Sequence, residues 1–194
     1  MSDRPIIFSG PMVRAMLGHR KTQTRRIVKP QPASHQGKIE WSDHNPGWWI
    51  VQGDVSNTWS RVRCPYGVPG DRLWVRETWT KVAVHPDGGG VVGYRADPAH
   101  AEIYKDYRWR PSIYMPRWAS RLTLEITDVR VQRLQEISEE DAMAEGCERV
   151  PKPIMPDSTY RLCFERLWQS INAKRAPWAS NPWVWAVTFR KVKP

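Results

Sequence analysis

The apolar positions of this chain fall into short runs of two kinds. Met12, Val13, Met16 and Leu17 recur at helical spacing, with Ser9 as a cap, Pro11 at a first-turn position and Gly18 as a stop. The stretch from Arg20 to Val28 leans toward strand at its end and is closed by Pro30 and Pro32. From 33 to about 66 the texture changes to short aromatic runs between Gly, Asp, Asn and Ser turns. Ile39 to Trp41, Trp48 to Val51 and Trp59 to Val62 read there as a small antiparallel excursion inserted into the main fold. Tyr66 to Asp71 is a turn that leads into a strand over Arg72 to Trp79. A loop from Val84 to Gly90, a strand from Val91 to Tyr94 and a short helix within Asp97 to Tyr107 follow.

The segment from Trp109 to Trp118 carries Pro111 and Pro116 and is not a central strand. Apolar and polar residues then alternate from Ser120 to Leu134 (Leu122, Leu124, Ile126, Val129, Val131), which predicts a half-buried strand bent or bulged at Thr127 and Asp128. Ile137 to Gly146 reads as a helix capped by Ser138, with Asp141 where a capping carboxylate sits and Gly146 as the stop. Asp157 to Asn172 is a second helix with Tyr160, Cys163, Phe164, Leu167, Trp168 and Ile171 on one stripe. Trp183 to Val192 closes the pattern as a strand. Many strands with few helices predict an α+β fold around a small mixed β-barrel, one domain spanning 1–194 with a β-rich insertion at about 33–66.

With 194 residues the chain can bury a proper core without metals or disulfides. No apolar run reaches the ~18 residues a membrane span requires, and the start lacks the pattern of a secretory signal. Cys64, Cys147 and Cys163 are odd in number with no CxxC spacing, so a cytoplasmic location is expected, with neither a disulfide framework nor a zinc knuckle. Lys and Arg exceed Asp and Glu by 30 to 20, a net charge of +10, which favours a polyanionic partner or a substrate carried by one. Twelve Trp serve core packing and base stacking equally well and decide neither.

Phosphate-loop, nucleophile-elbow and HExxH motifs are absent, and His19, His35, His44, His85 and His100 lack ligand spacing, so no metal is expected. Reactive groups are densest over Arg20-Lys21-Thr22-Gln23-Thr24-Arg25-Arg26. A hydroxyl needs a base to attack a carbonyl, and a lysine serves only when burial or positive neighbours lower its pKa. The alternative for the same residues is a solvated basic strand that contacts phosphates. In a regular strand Lys21 and Thr24 would point to opposite faces, so a pair acting together needs an irregular backbone, with a turn near Gly18 and the strand entered after Thr22. Two acids complete the candidates. Glu77, between Trp74 and Trp79, would need Arg72 or Arg76 as a partner if buried. Glu145, at a helix end beside Gly146, opposes the dipole there, as either a functional acid or an ordinary surface residue.

Met16 to Arg26, with its Lys-Thr-x-Thr-x-Arg pattern, resembles the signature of ASCH-domain proteins, a branch of the PUA-like barrels. Pro69 to Val75, Ile137 to Gly146 and Trp183 to Phe189 resemble that family's Gly-Asp turn, Glu-Gly helix and closing strand. The longer pattern, including Trp74 to Trp79 and Trp109 to Arg121, is similar to ASCH proteins of phages and prophages. The resemblance implies a small β-barrel with flanking helices and a cleft for a nucleobase or RNA. It further implies an amidohydrolase that removes the acyl group from N4-acetylcytidine and related cytosines without a cofactor, with Lys21, Thr24 and Glu145 as catalytic residues. Arg26 would stabilise an oxyanion, and Trp74, Trp79, Tyr94 and Glu77 would be substrate-binding. The partner implied is a modified cytidine nucleoside or base. Other members imply an RNA- or DNA-binding, even nucleolytic, module. Oligomeric state is not implied.

Overall fold

Ten strands and four α-helices occur among the described residues of the structure, a computed structural model covering residues 2–33, 37–44, 47–51, 59–84, 90–149 and 159–192. The strands are β1 (Asp3–Ile7), β2 (Gln23–Ile27), β3 (Lys38–Ser42), β4 (Gly47–Val51), β5 (Trp59–Val62), β6 (Arg72–Arg76), β7 (Trp79–Val84), β8 (Gly90–Tyr94), β9 (Thr123–Arg133) and β10 (Trp183–Val192). The helices are α1 (Gly10–Leu17), α2 (Pro98–Ile103), α3 (Glu139–Ala144) and α4 (Tyr160–Asn172). The class is α+β, as the hydrophobic pattern predicts. Strands pair as β1-β6-β9-β10-β2, β3-β4-β5 and β7-β8. Among the described residues these pairings include none that closes the first sheet into the small barrel expected from the sequence.

By contact the chain forms two compact units, each assembled from separated stretches: 1–22, 66–127 and 189–194 in one, 23–65 and 128–188 in the other. In the first unit β1 runs parallel to β6, with Asp3 opposite Arg72 and Ile7 opposite Arg76. An edge position is where Pro5 is tolerated, since a proline has no N–H to give a second neighbour. β6 pairs antiparallel with the start of β9 through Arg72–Glu125, Leu73–Leu124 and Trp74–Thr123. Helix α1 buries Val13, Ala15 and Met16, and Ser9 precedes it without a side-chain capping bond.

The strand expected over Arg72 to Trp79 is two strands, broken at Glu77 and Thr78. After the break, Trp79 bridges Arg110, and β7 pairs with β8. Trp79, Met115 and Ala119 form a small buried cluster there, with Val92 and Tyr94 against it. Of the loop expected from Val84 to Gly90, the two end residues belong to β7 and β8, and 85–89 lie outside the described residues. Asp97 caps α2 by accepting from Ala99 N and His100 N.

In the second unit, β3, β4 and β5 form the antiparallel excursion that the aromatic runs predict. Ile39, Ile50 and Val62 are buried, and Trp48 meets the β10 residue Trp185 edge-on at 6.3 Å. β10 pairs antiparallel with β2, Val187 opposite Thr24 and Ala186 opposite Arg25. β9 runs as one strand from Thr123 to Arg133, through the Thr127 and Asp128 positions at which a bend or bulge was expected. Ser138 caps α3 by accepting from Asp141 N, while Glu139 accepts from Tyr160 N and Arg161 N at the start of α4. Phe164 and Trp168 of α4 are buried with Leu134, Ile137, Ala142 and Val184. A buried Phe side chain contributes roughly 1.5–3 kcal/mol, so this cluster is what docks α4. Ile171, placed on the same stripe by spacing, is exposed. The expected helix start at Asp157 lies outside the described residues; Thr159 caps the helix that is described.

Candidate functional site

β2 begins at Gln23, and Lys21 lies ahead of it in an isolated bridge, with Thr22 in no regular element. The backbone between Lys21 and Thr24 is therefore irregular, the condition the sequence sets for a Lys–Thr pair. The turn that feeds it places its left-handed residue at His19, φ 58°, while Gly18 keeps φ −84°. His is one of the residues that tolerates that region. In the first unit Arg20 N and Lys21 N both donate to Ala15 O, and Phe189 N donates to Thr22 O. Lys21 is 2% exposed, its Nζ 5.7 Å from the centre of the Phe8 ring.

The second unit holds a buried polar cluster on β2 and α3. Period-two alternation puts Gln23 and Arg25 on one face of β2, Thr24 and Arg26 on the other. The Arg25 side chain is fully enclosed and donates to Asp141 Oδ2 at 2.6 Å, to Glu145 Oε1 at 3.4 Å and to Gln23 Oε1. Its guanidinium carbon lies 5.8 Å from the Phe164 ring centre. Gln23 donates from Nε2 to Asp141 and to Thr188, and Arg130 reaches Asp141 at 3.2 Å. Burial pushes the Asp141 carboxyl up, but Arg25, Gln23 and Arg130 outweigh it and hold it below the ordinary value of 3.8. Asp141 thus serves β2 rather than the helix start for which its spacing after Ser138 suggested it. Thr24 and Glu145 are buried in the same unit, at 3% and 4% exposure. Glu145 ends α3, and Gly146 follows at φ 84°. Arg26 is half-buried opposite Trp185.

Glu77 occupies the break between β6 and β7 and is 1% exposed. Its partner is Arg121, not Arg72 or Arg76: Arg121 donates Nε to Oε1 at 2.9 Å and Nη2 to Oε2 at 3.0 Å. Period-two alternation along a strand already sets positions 72 and 76 on the face opposite 77, and Arg76 lies over the Trp74 ring at 4.6 Å. Burial raises the Glu77 carboxyl above its ordinary value, although Arg121 opposes the rise. Arg121 also covers the Tyr94 ring at 4.1 Å, and Tyr94 donates its hydroxyl to Ala119 O at 2.9 Å. Trp79 is buried beside Trp118 and Arg110. Trp74, Trp79 and Tyr94, the three expected stacking residues, thus already carry a guanidinium of the protein over the ring.

Sequence reasoning did not single out Gln23, Asp141 or Arg121 as site residues, and it gave Arg25 only the role of a positive neighbour. One signal for Arg25 was present: Asp141 and Glu145 are four apart on a helix, so both can face one cation. Nothing local announces Arg121, which lies 44 residues from Glu77.

Compared with known proteins, the chain matches no family model and no curated protein sequence. Among solved structures it is similar to protein EF3133 of Enterococcus faecalis, a DUF984 protein, with 10% identity and a TM-score of 0.44 over all of this chain and 81% of that one. A likeness that distant carries no argument about family or activity.

Proposed function

We propose that this chain is an ASCH-type amidohydrolase of the PUA-like superfamily that removes the acyl group from N4-acylated cytosine nucleosides such as N4-acetylcytidine. The observation that carries the proposal is burial. The lysine, threonine and glutamate named by the resemblance are exposed by only 2%, 3% and 4%. Lysine and glutamate are rarely enclosed to this degree, because removing charge from water is costly. An enclosed amine, hydroxyl and carboxylate are the types of group that an amide-cleaving mechanism uses. The irregular entry into β2 supports the same reading.

In this mechanism Lys21, neutral, takes the proton of the Thr24 hydroxyl as its oxygen attacks the exocyclic amide carbonyl. The tetrahedral oxyanion is stabilised by backbone N–H groups near residues 22–24 or by Arg26. Collapse breaks the C–N bond, and the 4-amino group leaves with the proton that Lys21 took from Thr24, which returns Lys21 to its neutral form. Water then hydrolyses the Thr24 ester and releases the carboxylic acid. Glu145, held by Arg25, hydrogen-bonds the cytosine edge. The alternative course has Lys21 and Glu145 activate water directly while Thr24 binds the carbonyl.

The test is to incubate the protein with N4-acetylcytidine and follow cytidine by absorbance, with Lys21→Ala and Thr24→Ala as controls. Turnover by the wild type, lost in both variants, is expected. A folded wild type without turnover overturns the proposal. The net charge of +10 favours a second reading, an RNA-binding module, in which binding weakens steeply with salt while turnover of a neutral nucleoside does not.

A further inference from the structure

Exposed large apolar side chains are concentrated along one stretch of the first unit. Ile103, Tyr107, Ile113, Tyr114 and Trp118 are exposed by 65%, 45%, 53%, 68% and 49% within sixteen residues. A concentration of that kind on a surface asks for a partner. The same stretch is cationic. Arg108, Trp109, Arg110, Pro111 and Tyr114 line a groove of about 430 Å³. Arg108 and Arg110 meet no carboxylate among the described residues, in contrast to Arg117, which is paired with Asp3 at 2.8 Å.

The groove is held in shape by the protein's own bonds. Arg110 N donates to Trp79 O at 2.7 Å, Trp79 N returns a bond to Arg110 O at 3.2 Å, and Thr80 Oγ1 donates to Arg108 O at 3.1 Å. Pro111 then starts a 3-10 turn over Ser112–Tyr114, and Met115 beyond it is fully buried. The backbone is anchored on both sides of Tyr114, so its ring is offered to a ligand with little backbone ordering left to do. Arg110 lies over Trp79 at 5.3 Å and Arg95 over Trp109 at 5.9 Å, so Tyr114 is the groove ring left open to a ligand.

We infer that this groove binds single-stranded nucleic acid, with the exposed Tyr114 ring stacking on a base and Arg108 and Arg110 contacting phosphates. Aromatic faces beside arginines without carboxylate partners fit a chain of bases joined by anions. An acidic peptide would use the charge but not the flat rings. The +10 charge of the whole chain favours the encounter. The inference is independent of the amidohydrolase proposal.

The experiment is fluorescence anisotropy of the full chain with a labelled twelve-nucleotide oligouridine, and with oligothymidine as the DNA arm, at two salt concentrations. Tyr114→Ala should weaken binding about tenfold, the effect of losing one stacked base. Arg108→Ala should weaken it and lower the salt dependence by about 0.7 in log–log slope, the share of one phosphate contact on a single strand. Arg166→Ala, an exposed arginine on α4 in the other unit, removes the same charge and should change little. Circular dichroism checks folding of each variant. The inference is overturned by absence of binding at low salt, by wild-type affinity in both groove variants, or by an equal loss in Arg166→Ala. Equal affinity for a twelve-residue polyglutamate also overturns it. Turnover of N4-acetylcytidine, where present, should be unchanged in the groove variants.

Discussion

Replacing Arg25 by Met keeps an apolar stem near Phe164 and removes the charge that Asp141 and Glu145 share. The Arg25 side chain has no solvent exposure, and the side chain of Glu145 has 3%. Asp141 is 18% exposed and keeps Arg130 at 3.2 Å, so its share of the loss is discounted for solvent and for that second cation. Removing one partner of a buried ion pair costs about 3–5 kcal/mol, and with Asp141 partly rescued the low end, ~3 kcal/mol, is expected at pH 7. Arg25→Lys keeps the charge but not the fork that reaches Gln23, Asp141 and Glu145 together, so it should cost about half as much. The pH dependence has a definite sign. The Asp141 carboxyl is held below 3.8 in the folded protein, so its stabilisation is present above that value and lost as pH falls through the folded value. The gap between wild type and Arg25→Met should therefore be widest near neutrality and narrow below about pH 4. Urea denaturation at several pH values measures it. A cost under about 1 kcal/mol at pH 7, or a gap that does not narrow in acid, refutes the reasoning.

Glu77 titrates in the opposite sense. Its folded pKa is raised above 4.5, so its contribution is full below that value and declines as pH rises through the folded value; Glu77→Gln should remove this decline from melting temperatures taken between pH 4 and 8. A side chain at Gly93 would place Cβ 2.5 Å from Tyr104 Cδ2 and 2.8 Å from Thr80 Cγ2, so Gly93→Ala should cost about 1–3 kcal/mol, read as a lower thermal midpoint. Trp168 donates its buried indole N–H to Ala176 O at 2.8 Å, and Trp168→Phe should lose about 1–3 kcal/mol in chemical denaturation by orphaning that carbonyl.

What could be read from the sequence was whatever is periodic or capped. β10 occupies the predicted Trp183 to Val192, and the three short aromatic runs are β3, β4 and β5. β1 escaped notice because Pro5 interrupts it and Ile6 is its one buried residue; pairing with β6 makes it a strand, and tertiary pairing leaves no local mark. The break at Glu77 was hidden because Trp74 to Trp79 alternates well enough to pass for one strand. The candidate site was legible as residue types. Which cation holds Glu77, and how far Arg25 organises the acids of α3, depends on residues 44 to 120 positions apart.

β9 and β10 each contribute residues to both compact units, β10 through its last stretch to one and its first six residues to the other. Synthesis that stops short of Trp183 therefore finishes neither half: β2 lacks its antiparallel neighbour, and Thr22 lacks the amide of Phe189. Growing chains must carry both incomplete assemblies until Trp183 to Val192 has been made, the circumstance in which non-local pairing folds slowly and invites holding chaperones. Excising either half as one continuous fragment is ruled out by the same threading.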